Sequence, residues 1–483
     1  MTKFFIDQHG CAKNQTDGEL IIGYLSKNGF EFTTNADEAD FIIINSCGFI
    51  ESAKKESIDA IYNIRKAYPN SKIVLTGCLA QRYASLFSES IPELDGIFGN
   101  GDLSKISEFM NSVKEDKKED NKVITQTFPQ EGMCGGNRPV LYNFPGCAFV
   151  KITEGCSNHC SFCAIPLIRG ELRSRSEKEI IEEIKELLNS GVYELNLIGQ
   201  DLAAYGTEKG YTYDYDADPT LSPLANLMKE ISKLEGDFKV RLLYIHPDHF
   251  NKDILDIIKK DNRFLHYFDI PFQTGDDRII KLMNRTGSFD TYVSLINDIR
   301  KVLPDAAIRT TFLTGFPGED NKAANNTKNF LETIKPDWSG CFPYSREEDT
   351  PSYNMRKRVS TKVAEKRANV LEEIQTKLTF NKLESKVGNE YDVLIEEIIE
   401  NDEKVSEDFS EGLAIGRAWF QAPEVDGSVV VRYERDDEKE NSAIKPGNIV
   451  RVKIIASTGV DLDGRFISLV KEFDNKYKKN FLL

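Results

Sequence analysis

A chain of 483 residues is long enough for roughly three domains of about 150 residues each, and its formal charge of -16 argues against a broad phosphate-binding surface while suiting a basic protein partner. The opening Met1-Thr2-Lys3-Phe4-Phe5-Ile6-Asp7 lacks an apolar stretch followed by a cleavage site, and no run reaches the ~18 apolar residues of a membrane span, so a cytoplasmic protein with reduced thiols is expected. Nine cysteines, an odd number in a chain large enough to bury ordinary cores, fit a disulfide framework badly.

Residues 1–110 read as alternating strands and helices. Phe4-Phe5-Ile6, Phe41-Ile42-Ile43-Ile44 and Lys72-Ile73-Val74-Leu75 are short apolar runs of strand type, separated by amphipathic stretches near 17–28 and 51–67. This pattern predicts βαβ units around a parallel sheet, an α/β fold. Cys11, Cys47 and Cys78 stand just beyond the three strands. Ligand sites in open α/β sheets lie outside the carboxyl ends of strands, so these thiols could converge into a three-thiolate site. The alternative for each one alone is an ordinary small residue at a strand end.

Residues 111–146, with the charge run Lys114–Asp120 and then Gly135-Gly136-Asn137-Arg138-Pro139, read as a linker. Cys134 and Cys147, in or beside it, read as loop thiols without a role, and Cys341 receives no role either. Next comes Cys156-Ser157-Asn158-His159-Cys160-Ser161-Phe162-Cys163, three thiols in eight residues. Three soft ligands in one loop ask for a metal, and a four-iron cluster held by only three of them keeps one iron open for chemistry. Structural zinc, with His159 as fourth ligand, is the competing reading, although His159 directly abuts Cys160.

Strand-type segments recur at 148–153, 193–199, 239–245, 265–270, 306–313 and 338–344, mostly with helical stretches between them. Six βα units predict an open (β/α) barrel over 147–386 with the cysteine triplet at its carboxyl-end mouth. Other strand ends carry polar residues: Gln200 and Asp201, Gln273, Arg309, and the turn from Gly315 to Glu319. Together they could line a pocket for a ligand with amino, carboxylate and adenosine parts. His246 and His249 read as surface or loop histidines, because Pro247 breaks any helix carrying both.

A charged helical stretch at about 360–386 precedes five short strand segments at 391–399, 413–420, 428–433, 448–456 and 465–470. A small OB-like β-barrel over 387–474 is expected, with a tail over 475–483. Residues 387–483 hold 13 Lys and Arg against 21 Asp and Glu, which should repel phosphate and attract a basic polypeptide.

The motifs GCAKNQTDGE at 10–19, NSCGFIESAKKESIDAI at 45–61, TGCLAQRY at 76–83, EGCSNHCSFCAIPLIRG at 154–170 and APEVDG at 422–427 resemble those of the radical S-adenosylmethionine methylthiotransferases, through nearly the whole chain. Within them the chain looks like the RimO type, which modifies a ribosomal protein, more than the MiaB type, which modifies transfer RNA; Gly48-Phe49-Ile50-Glu51-Ser52-Ala53 carries that distinction. The resemblance implies a 4Fe-4S cluster on Cys156, Cys160 and Cys163 that binds S-adenosylmethionine, an auxiliary 4Fe-4S cluster on Cys11, Cys47 and Cys78, and a C-terminal TRAM barrel. It places Gln200, Asp201, Gln273, Arg309, Gly315 and Glu319 near S-adenosylmethionine. A radical generated from that cofactor would take hydrogen from the β-carbon of an aspartate in the twelfth small-subunit ribosomal protein. A methylated sulfur would then join that carbon, with an electron donor such as flavodoxin or ferredoxin. Thr274 and Gly18 depart from the family pattern, which commonly has His and Ser there. A monomer is the default. Two alternatives stay open: a MiaB-type transfer RNA enzyme, and a non-catalytic iron-sulfur or zinc module for electron transfer or RNA tethering.

Overall fold

The Phe41-Ile42-Ile43-Ile44 run is buried at every position, as befits a central parallel strand covered by helices on both faces. In the computed structural model, which describes residues 1–115, 123–129, 135–399 and 411–482, it belongs to β3 (Phe41–Ser46). Its sheet also holds β1 (Thr2–Gln8), β2 (Phe30–Phe32), β4 (Lys72–Gly77), β5 (Gly96–Phe98) and β6 (Ile124–Gln126). The strands run parallel in the order β2-β1-β3-β4-β5-β6, in a register fixed by pairs such as Ile6↔Ile43 and Ile43↔Val74. Helices α1 (Ala12–Lys27), α2 (Glu51–Ala67) and α3 (Cys78–Ser90) follow β1, β3 and β4. α1 begins well before residue 17, and its first turns carry Lys13, Asn14, Gln15, Thr16 and Asp17, polar yet buried. Their polarity hides the helix start from any reading of apolar periodicity.

The segment expected as a linker contributes structure of its own. Residues 106–115 complete a helix, β6 pairs in parallel with β5, and Leu141 enters the core of the next domain. The chain's end returns to the same place: Leu141 N donates to Asn480 O (2.7 Å), Leu482 N donates to Leu141 O (2.9 Å), and Phe481 is buried. Cys134 lies outside the described residues.

β7 (Cys147–Lys151) opens the central domain and runs almost directly into β8 (Thr153–Glu154), which pairs antiparallel with β9 (Arg173–Ser174). β10 (Glu194–Ile198), β11 (Lys239–Leu242), β12 (Phe264–Asp269), β13 (Ala307–Thr314) and β14 (Trp338–Pro343) then add to β7 one after another. All five pairings are parallel, giving the expected open (β/α) barrel of six strands. Ala148, Val150, Leu195 and Leu197 pack under the helices, while Phe149, Ile198, Leu243 and Tyr267 point to the opposite face, the alternation a strand requires.

Five strands, β15 (Glu390–Ile399), β16 (Glu411–Arg417), β17 (Val429–Glu434), β18 (Ile449–Ser457) and β19 (Leu462–Lys471), close a barrel in the order β15-β16-β17-β19-β18. Only β17 and β19 pair in parallel. This barrel covers that opposite face of the central sheet: Val393, Phe420, Val431 and Val452 share one apolar cluster with Phe149, Tyr267 and Trp338, whose indole N–H donates to Phe420 O at 2.8 Å. Cys147, expected as a loop thiol, is instead a buried strand residue at this junction, accepting from Asn196 Nδ2 at 3.3 Å. Cys341 is likewise buried, on β14. No helix among the described residues is long and apolar enough to cross a membrane.

Candidate functional site

Cys11, Cys47 and Cys78 follow β1, β3 and β4, which are adjacent in the sheet. Neighbouring strands lie ~4.8 Å apart, so residues at their carboxyl ends meet although they are far apart in sequence. The order also reverses beside β1, where the chain leaves outward to β2 and crosses back to β3, and this opens a crevice at those ends. Flanking glycines allow the close approach. A Cβ on Gly10 (φ +91°) would meet Cys47 Cβ at 3.1 Å, and one on Gly48 would meet Cys78 C and Leu79 N at 2.8 Å.

The second triplet is built within one loop. Cys156 N donates to Gly170 O (3.0 Å), Cys163 N to Cys160 O (2.9 Å) and Ser161 N to Met283 O (3.0 Å), so the β8-β9 hairpin and the barrel hold the loop at both ends. His159 sits in the left-handed region (φ 49°) with its side chain 59% exposed beside Glu171. Its ring is not among the groups lining the cavity described next, so the zinc reading loses its fourth ligand.

All six cysteines line one cavity of about 320 Å³ between the first domain and the barrel mouth. None of the described cysteines is paired in a disulfide. Burial raises the Cys47 thiol and pushes Cys78, Cys156 and Cys163 up to about 12, against a partial offset from Arg169 at Cys78. Such thiols stay protonated at neutral pH unless a metal draws the proton off, which is what soft-metal coordination does. Two sets of three thiols around one cavity suit four-iron clusters that each keep one iron open.

A buried charge network joins the two walls. Arg169 donates to Glu154 Oε1 (2.9 Å), Asp17 Oδ2 (2.9 Å), Asn14 Oδ1 (2.8 Å) and Cys78 Sγ (3.3 Å). Lys151 bridges Asp17 (2.5 Å) and Glu154 (2.6 Å), and Gln200 Nε2 donates to Glu154 Oε1 (3.1 Å). Burial alone would raise the Glu154 carboxyl, but Arg169 and Lys151 hold it far below the usual carboxylate range. Asn14 and Asp17 on α1 and Cys78 at the start of α3 belong to the first domain and the others to the barrel, so this network fixes one triplet relative to the other.

Of the residues expected in the ligand pocket, Gln200 and Gln273 line the cavity. Gln273 is held in the left-handed region (φ 71°) by a bond from its N–H to Thr311 O (2.7 Å) and one from Leu313 N to its carbonyl (2.8 Å), strain of the kind found at functional sites. Asp201 stands directly behind the lining residues Asn158 and His246, whereas Arg309, Gly315 and Glu319 are engaged elsewhere. Asp201 accepts from Ala203 N, His246 N, Asn158 Nδ2 and His249 Nδ1. Arg309 pairs with Asp426 of the C-terminal barrel at 3.2 Å. Gly315 N donates to Glu319 Oε2 (2.6 Å), which also binds Arg367 of the Thr361–Glu384 helix, so this turn anchors that helix. Thr274 is buried and bonded to Thr327, away from the cavity.

His246 corrects the sequence reading. It is buried on the cavity wall, its Nδ1 accepts from Asp248 N (3.3 Å), and its Nε2 lies 3.8 Å from Cys160 Sγ. Pro247 ends the strand-side backbone in a short 3-10 turn rather than a surface loop, which turns the ring inward. Burial brings His246 down to about 3, so the ring is neutral and points its Nε2 N–H at the sulfur. Lys13, Asn14, Tyr244 and Arg285 also line the cavity and were not singled out from sequence. Lys13 and Asn14 lie inside the GCAKN motif; nothing local marks Tyr244 or Arg285.

Family models match three segments: "Uncharacterized protein family UPF0004" at residues 3–99, "Radical SAM superfamily" at 150–331 and "TRAM domain" at 387–467. The chain is 50% identical to the ribosomal protein uS12 methylthiotransferase RimO of Treponema denticola, over 95% of this chain and 99% of that one. It is 39% identical to the RimO of Clostridium kluyveri, over 94% and 96%. Among solved structures, the radical S-adenosylmethionine methyltransferase TsrM of Kitasatospora setae shares the fold, with a TM-score of 0.54 at 14% identity over 73% of this chain and 75% of that one.

Proposed function

The chain belongs to the RimO family of radical S-adenosylmethionine methylthiotransferases, and on that premise we propose that it methylthiolates the β-carbon of an aspartate in ribosomal protein uS12. The observation that carries this reading is the single cavity lined by both cysteine triplets. We assign Cys156, Cys160 and Cys163 to a 4Fe-4S cluster that binds S-adenosylmethionine, and Cys11, Cys47 and Cys78 to an auxiliary 4Fe-4S cluster. When bound, the first cluster and S-adenosylmethionine supply one-electron cleavage and hydrogen abstraction from an unactivated carbon, which side-chain acids and bases cannot provide.

The chain's own residues position and shield. His246 presents a neutral N–H to Cys160, and Gln200 and Gln273 offer amides to the polar parts of S-adenosylmethionine. The Arg169 network holds the two triplets on facing walls, and the C-terminal barrel closes the back of the central sheet. The reading carries with it a cytoplasmic location, where uS12 is available, a monomeric enzyme, and a one-electron donor such as flavodoxin or ferredoxin.

The acidic C-terminal barrel favours a basic protein over transfer RNA, whose phosphates it would repel. Mass spectrometry of uS12 and of transfer RNA from a strain lacking the gene tests the choice. The expected result is loss of the methylthio group from uS12 and restoration by the gene in trans. Loss from transfer RNA alone would overturn the reading.

A further inference from the structure

Lys13 stands out on the cavity wall. It is 93% buried by its 7% exposure, it lines the space between the triplets, and its ammonium stands over the Tyr244 ring, 2.8 Å from the centroid. Among the described residues no carboxylate lies within 4.0 Å of it, and no hydrogen-bond acceptor is assigned to it. The other cations on the wall have partners or a different place. Arg169 is taken up by Asp17 and Glu154, and Arg285 donates to the carbonyls of Pro271 and Phe272 on the side of the Cys156 triplet. Lys13 is on α1, two residues after Cys11, and so belongs to the wall of the other triplet.

Asp269 and Glu154 act on this ammonium only from a distance, so it is free to take an incoming carboxylate in direct contact, in a site where little water screens the pair. We propose that Lys13 anchors the side-chain carboxylate of the substrate aspartate and thereby selects aspartate over its uncharged analogues. The assignment rests on the uS12 reading, because it supplies a group that carries a carboxylate one bond from the carbon to be modified. Anchoring that carboxylate fixes the β-carbon in the space both triplets face, while the Tyr244 ring keeps the ammonium directed into the cavity.

The test uses the reconstituted full-length enzyme under anaerobic conditions, with a uS12 peptide holding the target aspartate and its Asp→Asn counterpart. Peptide binding is read by fluorescence anisotropy, methylthiolation by mass spectrometry, and iron content alongside. Wild type should bind the aspartate peptide about tenfold or more tighter, as expected for a charge-assisted bond. Lys13→Met should bind both peptides at the level of the asparagine one, and Lys13→Arg should recover part of the discrimination. Equal binding of the two peptides by wild type, or discrimination kept by Lys13→Met, overturns the assignment while leaving the uS12 reading intact. A wild-type enzyme that binds and modifies no uS12 overturns the reading and this assignment with it.

Discussion

The two cysteine triplets reach one cavity by opposite routes. Cys156, Cys160 and Cys163 come from a single loop whose ends are pinned by backbone bonds to Gly170 and Met283. Cys11, Cys47 and Cys78 come from the ends of three adjacent strands, and each depends on the sheet for its place. A loop site survives wherever its short segment can fold, whereas a strand-end site exists only when register and packing are intact. The triplet in one loop therefore depends on a few outside contacts such as Met283, and the distributed triplet on the register of a whole sheet.

Removing one ligand from each site gives the largest contrast. Reconstituted wild type should carry about eight irons, and Cys156→Ala and Cys78→Ala about four each. Cys156→Ala should bring 5′-deoxyadenosine formation to background, whereas Cys78→Ala should keep it and lose methylthiolation of uS12. If Cys78→Ala also lost 5′-deoxyadenosine formation, the two sites would not be separable. Gly48→Ala probes the same contrast without touching a ligand. Its Cβ would press to 2.8 Å of the Cys78–Leu79 backbone, so the strand-end site alone should lose iron while 5′-deoxyadenosine formation persists. Eight irons retained in Gly48→Ala would show that the strand ends tolerate spreading.

Arg169→Gln acts on what the sites share. It leaves Asp17 and Glu154 buried with only Lys151 between them, a loss of about 3–5 kcal/mol for a broken buried pair. Urea unfolding of the apo-protein should show that loss, and both sites should take up less iron. An unchanged midpoint would mean that the walls are held together by packing rather than by charge.

The same contrast explains what the sequence discloses. The CxxxCxxC loop is legible because all its information lies in eight consecutive residues. The three lone cysteines are legible only through the rule that adjacent strand ends meet, and that rule worked because Phe41–Ile44 and Lys72–Leu75 read clearly as strands. The six barrel strands and the five of the C-terminal barrel stand out for the same reason. β6 does not, because its three residues follow a charge run and earn their place only by pairing with β5. Polar residues buried at a junction are the other blind spot. Lys13, Asn14 and Asp17 look like a solvated helix face, and His246 like a loop residue, until a second domain covers them. Arg309 and the Gly315–Glu319 turn hide something else: they are polar strand-end residues whose partners in the structure, Asp426 and Arg367, come from segments more than 45 positions away.

Glu194 supplies a buried ion pair remote from the cavity, and so a measure of how far the contrast between the triplets is local. At the junction with the C-terminal barrel it faces Arg417 at 3.0 Å and Arg241 at 3.4 Å. Burial alone would raise its carboxyl, but the two guanidiniums outweigh burial and hold it at about 2, below its ordinary 4.5. A carboxyl depressed in the folded state stabilises fully above its unfolded value, and that contribution disappears as pH falls through the folded one. The window is therefore about 4.5 down to 2, and the contribution is on the order of 3 kcal/mol. Glu194→Gln should be less stable than wild type by about that amount at pH 7, and the gap should narrow on acidification to pH 3, as urea unfolding of the two apo-proteins would show. Wild type and Glu194→Gln should take up iron equally at the two sites, because Glu194 opens β10 at the amino end of the sheet, away from the cavity that both triplets line. A gap that stays constant from pH 7 to pH 3 would mean that the guanidiniums do not hold the carboxyl down, and loss of iron from one site alone would mean that the strand-end triplet feels the C-terminal barrel through the sheet.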